Sequence, residues 1–194
     1  MQTEYSNMKK LSTCLFLILF SFSAPSFGDD ISEFQIEGMS IGDSLLDYFS
    51  EEEIKKSKKD YYKDKTFTAI ELTSKIYKDY DEIQIHYKTI DKKYKIFSID
   101  GLIDIENLKD CIKQKNKIVS EISELFKNLE KKVRDDWDMV SGHGKLHGVT
   151  FTFNSGDTAD VVCYDYDVET GYEDHLRVGV SRKEVIDWSY SNPF

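Results

Sequence analysis

The residue types best suited to metal chemistry lie in the last third of the chain. His143 and His147 are four residues apart, and Cys163 and His175 follow them. Imidazole nitrogen and thiolate sulfur are ligands that zinc prefers, so these residues predict a zinc site as one alternative. Residues four apart on an extended chain share a face whether or not they bind a metal. We therefore expect ordinary surface and edge histidines here.

A second candidate is a run of alternating acidic residues: Asp165, Asp167 and Glu169. Oxygens at alternate positions resemble the first three ligands of a calcium loop. Gly171 comes one residue late for the sharp turn of an EF-hand, and Leu176 stands where the bidentate glutamate belongs. A looser calcium site with Glu173 or Asp174 stays open, but acidic hairpin ends are usually solvated turns.

Nucleophilic catalysis is the third chemistry to weigh. Cys163 and His175 fall on neighbouring predicted strands and could be paired as a nucleophile and a base. Gly38-Met39-Ser40-Ile41-Gly42 matches the letters Gly-x-Ser-x-Gly, but no predicted strand leads into it, as a nucleophile elbow requires. Beyond residue 28 the chain contains no Ser-x-x-Lys or His-Glu-x-x-His motif, and no glycine loop that indicates phosphate binding. We therefore expect a non-catalytic protein without a cofactor. A metal-dependent hydrolase with its site in residues 143–175 is the alternative.

Cys111 and Cys163 also predict a disulfide. Both lie beyond residues 1–28, which have the order of a secretory signal peptide as described below, and the oxidising compartment that export implies favours joining such a pair. A bridge between Cys111 and Cys163, which are 52 residues apart, would stabilise the fold by about 4 kcal/mol in the chain-entropy estimate. Two buried free thiols are the alternative, and Cys163 cannot serve both a disulfide and a metal.

Six segments predict antiparallel strands, because β-branched and aromatic residues dominate them or apolar and polar residues alternate. The segments are 67–73, 83–87, 94–103, 149–153, 161–166 and 176–181. Turns rich in Asp, Asn and Gly separate several of them. Whether the six strands form one sheet or two is left open.

One long amphipathic helix is predicted between the two groups of strands. Apolar residues from Leu108 to Val133 fall on a single helical stripe, which places Cys111 inward. The helix runs for about 28 residues, with Asp104 as its cap. Shorter helices are predicted near both ends, one after the capping pair Ser40 and Asp43 and one after a capping box that begins at Ser181. Together these elements predict a single α+β domain over residues 29–194.

Residues 1–28 have the order of a secretory signal peptide. Lys9 and Lys10 precede the apolar run 11–22, and Ser26 and Gly28 supply the small residues that the peptidase accepts. The run is shorter than the roughly 20 residues that span a bilayer, so we predict cleavage after Gly28 and no stable membrane anchor. Export to a periplasm or to the medium follows, and the Lys- and Ile-rich, Pro-poor composition is typical of an AT-rich bacterial genome.

The charge of the chain excludes polyanionic partners. It has 36 acidic and 26 basic side chains, a formal net charge of −10. Such a chain repels nucleic acids and anionic membrane surfaces, because binding either requires Lys and Arg to replace counterions. A protein or small-molecule partner is therefore expected.

The segment from Ile36 to Leu46 is similar to segments of uncharacterised exported bacterial proteins. Within it, Gly38-Met39-Ser40 ahead of the first helix resembles the opening of small periplasmic lipoproteins that help assemble outer-membrane barrels, and of β-lactamase-inhibitor-like domains. Neither resemblance implies an activity. They agree with an exported accessory or binding protein of unknown ligand.

Overall fold

The structure is a computed structural model that describes residues 30–73, 77–139 and 141–192. The predicted signal peptide therefore lies outside the described residues. The described part is a sheet-rich α+β fold with one eight-stranded antiparallel sheet and three α-helices. The strands are β1 (Lys58–Lys59), β2 (Phe67–Thr73), β3 (Glu82–Lys88), β4 (Ile96–Asp104), β5 (Glu130–Asp138), β6 (Gly144–Thr152), β7 (Thr158–Tyr166) and β8 (His175–Ser181). The helices are α1 (Glu51–Lys56), α2 (Leu108–Leu125) and α3 (Lys183–Ser191).

The chain builds this sheet as two meanders. Strands β1 to β4 run side by side, α2 then crosses to the far edge, and β5 to β8 run back until β8 pairs with β4. The resulting order is β1-β2-β3-β4-β8-β7-β6-β5, with every neighbouring pair antiparallel. The two predicted groups of strands therefore form one continuous sheet.

The count of about six strands is corrected by two additions, β1 and β5. The first has only two residues, both lysines, which is too short for any alternation to be visible. The second lies across the predicted end of the long helix at Val133 and the residues that follow it. Nearly all its side chains are exposed, because it is an edge strand, so it lacks the apolar pattern that identifies a half-buried strand.

The long helix is shorter than predicted. It begins after Asn107, whose side chain accepts a hydrogen bond from the backbone N–H of Asp110, whereas Asp104 ends β4. It ends at Leu125 because Phe126 turns out of the helix and stacks on Phe34 at 5.0 Å between ring centroids. The apolar stripe beyond that point belongs to the loop and to β5.

The first short helix is displaced along the chain. The helix that forms, α1, begins after Ser50 rather than directly after the Ser40–Asp43 pair, with a capping box between Ser50 and Glu53. Its one buried residue, Ile54, joins the core. The Ser40–Asp43 pair does make a capping contact, with the Asp43 carboxylate accepting from the Ser40 N–H at 2.8 Å, but a single turn follows it.

The last helix is capped by a distant residue. The capping box at Ser181 is wrong, because the Ser181 hydroxyl bonds to that of Ser98 at 2.8 Å. The N–H of Lys183 instead donates to the buried Asp157 carboxylate at 2.8 Å. This fastens α3 to the turn between β6 and β7.

The sheet has one apolar face and one polar face. The apolar face carries the main core, which the segment 30–57 and α2 cover. On this face Cys111 of α2 forms a disulfide with Cys163 of β7, with the Sγ atoms 2.08 Å apart and the Cα atoms 5.9 Å apart. The predicted pairing is therefore confirmed. Of the described helices, only α3 packs on the polar face, where Val185 and Trp188 cluster with Phe67.

Candidate functional site on the polar face of the sheet

The polar face is built by strand register. Residues directly opposite one another on neighbouring strands point to the same side of a sheet. One cross-strand row contains Glu71, Gln84, Asp100, Gly179, Asp160, Thr150 and Lys132. The adjoining row contains Glu82, Leu102, Arg177, Val162, Gly148 and Arg134. Charged and polar side chains therefore extend across this face from β2 to the edge strand β5.

Arg177 lies at the centre of this face. Its Nη2 donates to Gln84 Oε1 at 2.6 Å and to Asp100 Oδ2 at 2.8 Å. Burial works against the charge of Arg177, but the neighbouring Asp100 carboxylate and the Tyr164 hydroxyl raise its pKa well above the ordinary value. The guanidinium is thus a permanently charged, rigidly held group that keeps 26% of its side-chain surface exposed.

Gly179 makes room for this arrangement. A Cβ atom at Gly179 would lie 1.8 Å from Asp100 Oδ1, much closer than atoms can approach. The absence of a side chain therefore lets the Asp100 carboxylate lie across β8. Both residues belong to the same cross-strand row, and Asp160 follows on the other side of Gly179.

Asp160 anchors a second polar chain towards the β5 edge. It accepts hydrogen bonds from the hydroxyls of Thr150 and Thr158, at 2.5 Å and 2.8 Å. Burial raises the pKa of Asp160, and these two hydrogen bonds oppose that change. The Thr150 hydroxyl in turn accepts from Arg134 Nη1 at 2.5 Å. Arg134 is therefore oriented by a chain of contacts that reaches into the sheet.

Aromatic rings lie beside Arg177 at the end of the face remote from α3. Tyr164 and His175 are opposite each other on β7 and β8 and stack at 4.7 Å with an interplanar angle of 13°. Tyr166 stacks on Tyr164 at 6.0 Å, and Tyr172 packs against Tyr166 at 5.2 Å. Tyr172 keeps 70% of its surface exposed. The rings form an apolar platform with hydroxyl groups that solvent or a partner can reach.

The other end of the polar face is covered. Tyr62 packs on Trp188 at 4.5 Å, and both lie near the buried ring of His86. His86 Nδ1 has no hydrogen-bond partner among the described residues. Burial lowers the pKa of His86 to about 4, so the imidazole is neutral near pH 7.

Three catalytic residue types meet under this cover, but their contacts differ from those of a triad. Ser98 lies opposite His86 and is two residues from Asp100. The Ser98 hydroxyl bonds to Ser181 at 2.8 Å and to Asp100 at 3.4 Å rather than to the imidazole. All three side chains are buried, and the rings of Tyr62 and Trp188 lie near His86, so the serine is not exposed to a substrate. We assign them to the packing of this end.

The predicted zinc ligands are distributed over both faces. His147 lies opposite Cys163, on the apolar side, whereas His175 lies opposite Tyr164, on the polar side. Cys163 and Tyr164 are consecutive on one strand, so their side chains point in opposite directions. His147 Nδ1 accepts from the Asp136 N–H at 3.2 Å, and Cys163 is held in the disulfide.

The remaining metal candidates lie near the end of β7 and on the exposed turns next to it. Asp165 lies within β7 opposite Lys145, one residue before the strand ends, and Asp167 and Glu169 lie at a 3₁₀ turn that follows. His143 lies on an exposed turn before β6. Among the described residues, no group of three His, Cys, Asp or Glu side chains is arranged to hold a metal ion.

Apart from His175, the residues that make the polar face received no binding or catalytic role from sequence reasoning. Their signal is present in the alternation of the strands, because Asp160 and Arg177 each sit between apolar neighbours that point to the core and Asp100 follows the buried Ile99. Charged residues at such outward positions are ordinary in a sheet with one solvated face. Only the register shows that they form a connected network.

Comparison with known proteins gives no relative from which to transfer a role. The chain matches no protein-family model, and no curated protein or solved structure is significantly similar to it. Within the described ranges, no helix is both long and apolar enough to cross a membrane. The disulfide fits an extracellular setting, because such bonds persist in oxidising compartments.

Proposed function

We propose that this is an exported, non-catalytic binding protein that docks a protein partner on the polar face of its sheet. The observation that carries the proposal is the composition of the part of this face that α3 leaves open. Tyr, Trp and Arg are the residue types enriched where proteins bind one another, and they recur here as Tyr164, Tyr172, Arg177 and Trp137.

The rigidity of the face supports the same proposal. Arg177 is fixed by Gln84 and Asp100, and the Tyr164 ring is stacked on His175. A partner that binds such groups loses little side-chain entropy, because they are already ordered. The order of residues 1–28 and the disulfide support the exported part of the proposal.

Site-specific photocrosslinking tests this function. Benzoylphenylalanine is placed at Tyr172 on the polar face or, as the matched control, at exposed Lys113 on α2, and both variants are irradiated in the cells that make the protein. The crosslinked partner is identified by mass spectrometry, purified, and titrated against the wild-type protein and its variants. We expect a crosslink from Tyr172 and none from Lys113.

Affinity measurements then separate specific docking from random contact. Tyr172→Ala and Tyr164→Ala should each weaken binding of the purified partner by about tenfold or more, as for interface hot spots, and Lys113→Ala should leave it unchanged. Equal crosslinking from both positions, no crosslink from Tyr172, or unchanged affinity of the tyrosine variants would each overturn the proposal.

A further inference from the structure

Two cations share one tryptophan ring where the polar face meets β5. The Lys132 ammonium lies 5.7 Å and the Arg134 guanidinium 5.4 Å from the centroid of the Trp137 ring, which is 50% exposed. These distances are those of cation–π contacts. We call Lys132, Arg134 and Trp137 the edge patch.

A β-bulge brings the edge patch together. Arg134 pairs with Gly148 and Trp137 with Leu146, so three steps along β5 match two steps along β6. In a regular strand, residues three apart point to opposite faces, and the extra residue places both side chains on the polar face. Asp136 adopts a φ of 57° within the bulge, a conformation that costs a non-glycine residue about 1 kcal/mol or more. The fold therefore maintains an unfavourable backbone that creates the patch.

Within the described ranges, neither cation of the edge patch forms an ion pair, although the charge of Arg134 acts on the Asp160 carboxylate beyond Thr150 and opposes the rise in its pKa. Acidic side chains outnumber basic ones by 36 to 26, yet among the described residues no carboxylate oxygen lies within 4.0 Å of the Lys132 or Arg134 nitrogens. Lys145 of the neighbouring strand, by contrast, pairs with Asp138 of β5 at 2.7 Å. Three of the four acidic side chains of β5, Asp135, Asp136 and Asp138, pair with Lys115 or Lys145, and the two cations of the edge patch stay available.

We infer that the edge patch binds an acidic segment of a protein partner, with carboxylates at Lys132 and Arg134 and an apolar group on Trp137. The inference rests on the proposed function and names the partner's chemistry. Arginine binds carboxylates through paired, charge-assisted hydrogen bonds, and a half-exposed indole offers apolar area between the cations. Arg134 is already oriented by Thr150, so little order is lost on binding.

A charge-matched pair of peptides tests the inference. The acidic probe is the dodecapeptide (Glu-Glu-Leu)₄ and its neutral counterpart is (Gln-Gln-Leu)₄, both titrated into the mature protein. The indole N–H resonance of Trp137, assigned with Trp137→Phe, reports binding at the patch. We expect the acidic peptide to shift this resonance and Lys132→Gln/Arg134→Gln to weaken its affinity by about tenfold or more. Lys109→Gln/Lys113→Gln on α2 is the matched control and should bind within about twofold of wild type.

Three results would overturn the inference: equal affinity for the neutral peptide, unchanged affinity in the double variant, or a heparin dodecasaccharide or an oligo-dT binding the patch while the acidic peptide does not. Lys132 is exposed, so the single variant Lys132→Gln should fold normally. Weaker binding by this single variant would show that the lower affinity of the double variant is not caused by misfolding. Crosslinking from Tyr172 does not depend on these cations. A negative peptide result with a positive crosslink therefore rejects the acidic segment and leaves the proposed function standing.

Discussion

At the scale of single residues, the polar face depends on which side chains are missing as well as on which are present. The Asp100 carboxylate occupies space that any side chain at position 179 would need. Arg177 relies on that carboxylate for its charge partner at 2.8 Å. Gly179 is therefore a positioning residue for the centre of the face, although it contributes no polar group itself.

This dependence predicts the outcome of Gly179→Ala. The new methyl group should displace the Asp100 carboxylate, leave Arg177 without its partner, and lower the free energy of unfolding by about 2–4 kcal/mol. In an Asp100→Ala background, the same substitution should cost less than about 1 kcal/mol, because the clash is gone. Urea unfolding of the four proteins in the cycle measures both values. A full cost in both backgrounds would contradict this account.

At the scale of elements, the disulfide attaches the long helix α2 covalently to the sheet. It joins α2 to β7, the strand with which that helix makes its most extensive contact. Phe34 and Phe126 add an apolar contact at the other end of the helix, where the segment before α1 packs on it. The apolar layer therefore holds the sheet from one side, and of the described helices only α3 covers part of the opposite face.

Removing the disulfide should lower stability while preserving the fold. For a separation of 52 residues, the chain-entropy estimate gives about 4 kcal/mol. We expect Cys111→Ala/Cys163→Ala to lose stability of this order in urea unfolding, and the wild-type protein to lose a similar amount in reductant. Reductant should not affect the double variant, which serves as the control. A wild-type melting temperature that reductant leaves unchanged would exclude a stabilising bridge.

At the scale of the whole molecule, charge and export belong together in the proposed function. A net charge of −10 favours the approach of partners with basic surfaces and disfavours nucleic acids. The edge patch is a local exception to this field, since its two cations face outward without carboxylate partners among the described residues. A partner with both basic and acidic segments would match the complete surface.

Export is tested at the N-terminus of the processed chain. We expect the intact mass of the exported protein to correspond to a chain that starts at Asp29. Gly28→Leu should block processing, because a large residue does not fit the peptidase pocket, whereas Ala24→Leu should be processed normally. Full-length protein retained in the cytoplasm would contradict the predicted signal.

The sequence by itself determined what depends on local pattern. Alternation located the six strands that have a half-buried pattern, and helical periodicity located α2 and directed Cys111 inward. Edge strand β5 was not predicted, because apolar and polar residues do not alternate in a strand that is exposed. The end of α2 was placed too late, because the apolar residues after Phe126 continue the apolar stripe by coincidence. Periodicity records which side chains are apolar, not where a helix stops.

Only the tertiary structure decided which distant residues meet. The register between β4, β8 and β7 placed Asp100, Gly179 and Asp160 in one row, and the same register separated His147 from His175. A shift of one residue in any pair would have reversed the face of every side chain on that strand. The bulge that unites Arg134 with Trp137 likewise exists only against β6. Contacts between strands far apart in the chain carry the candidate site, and no local pattern encodes them.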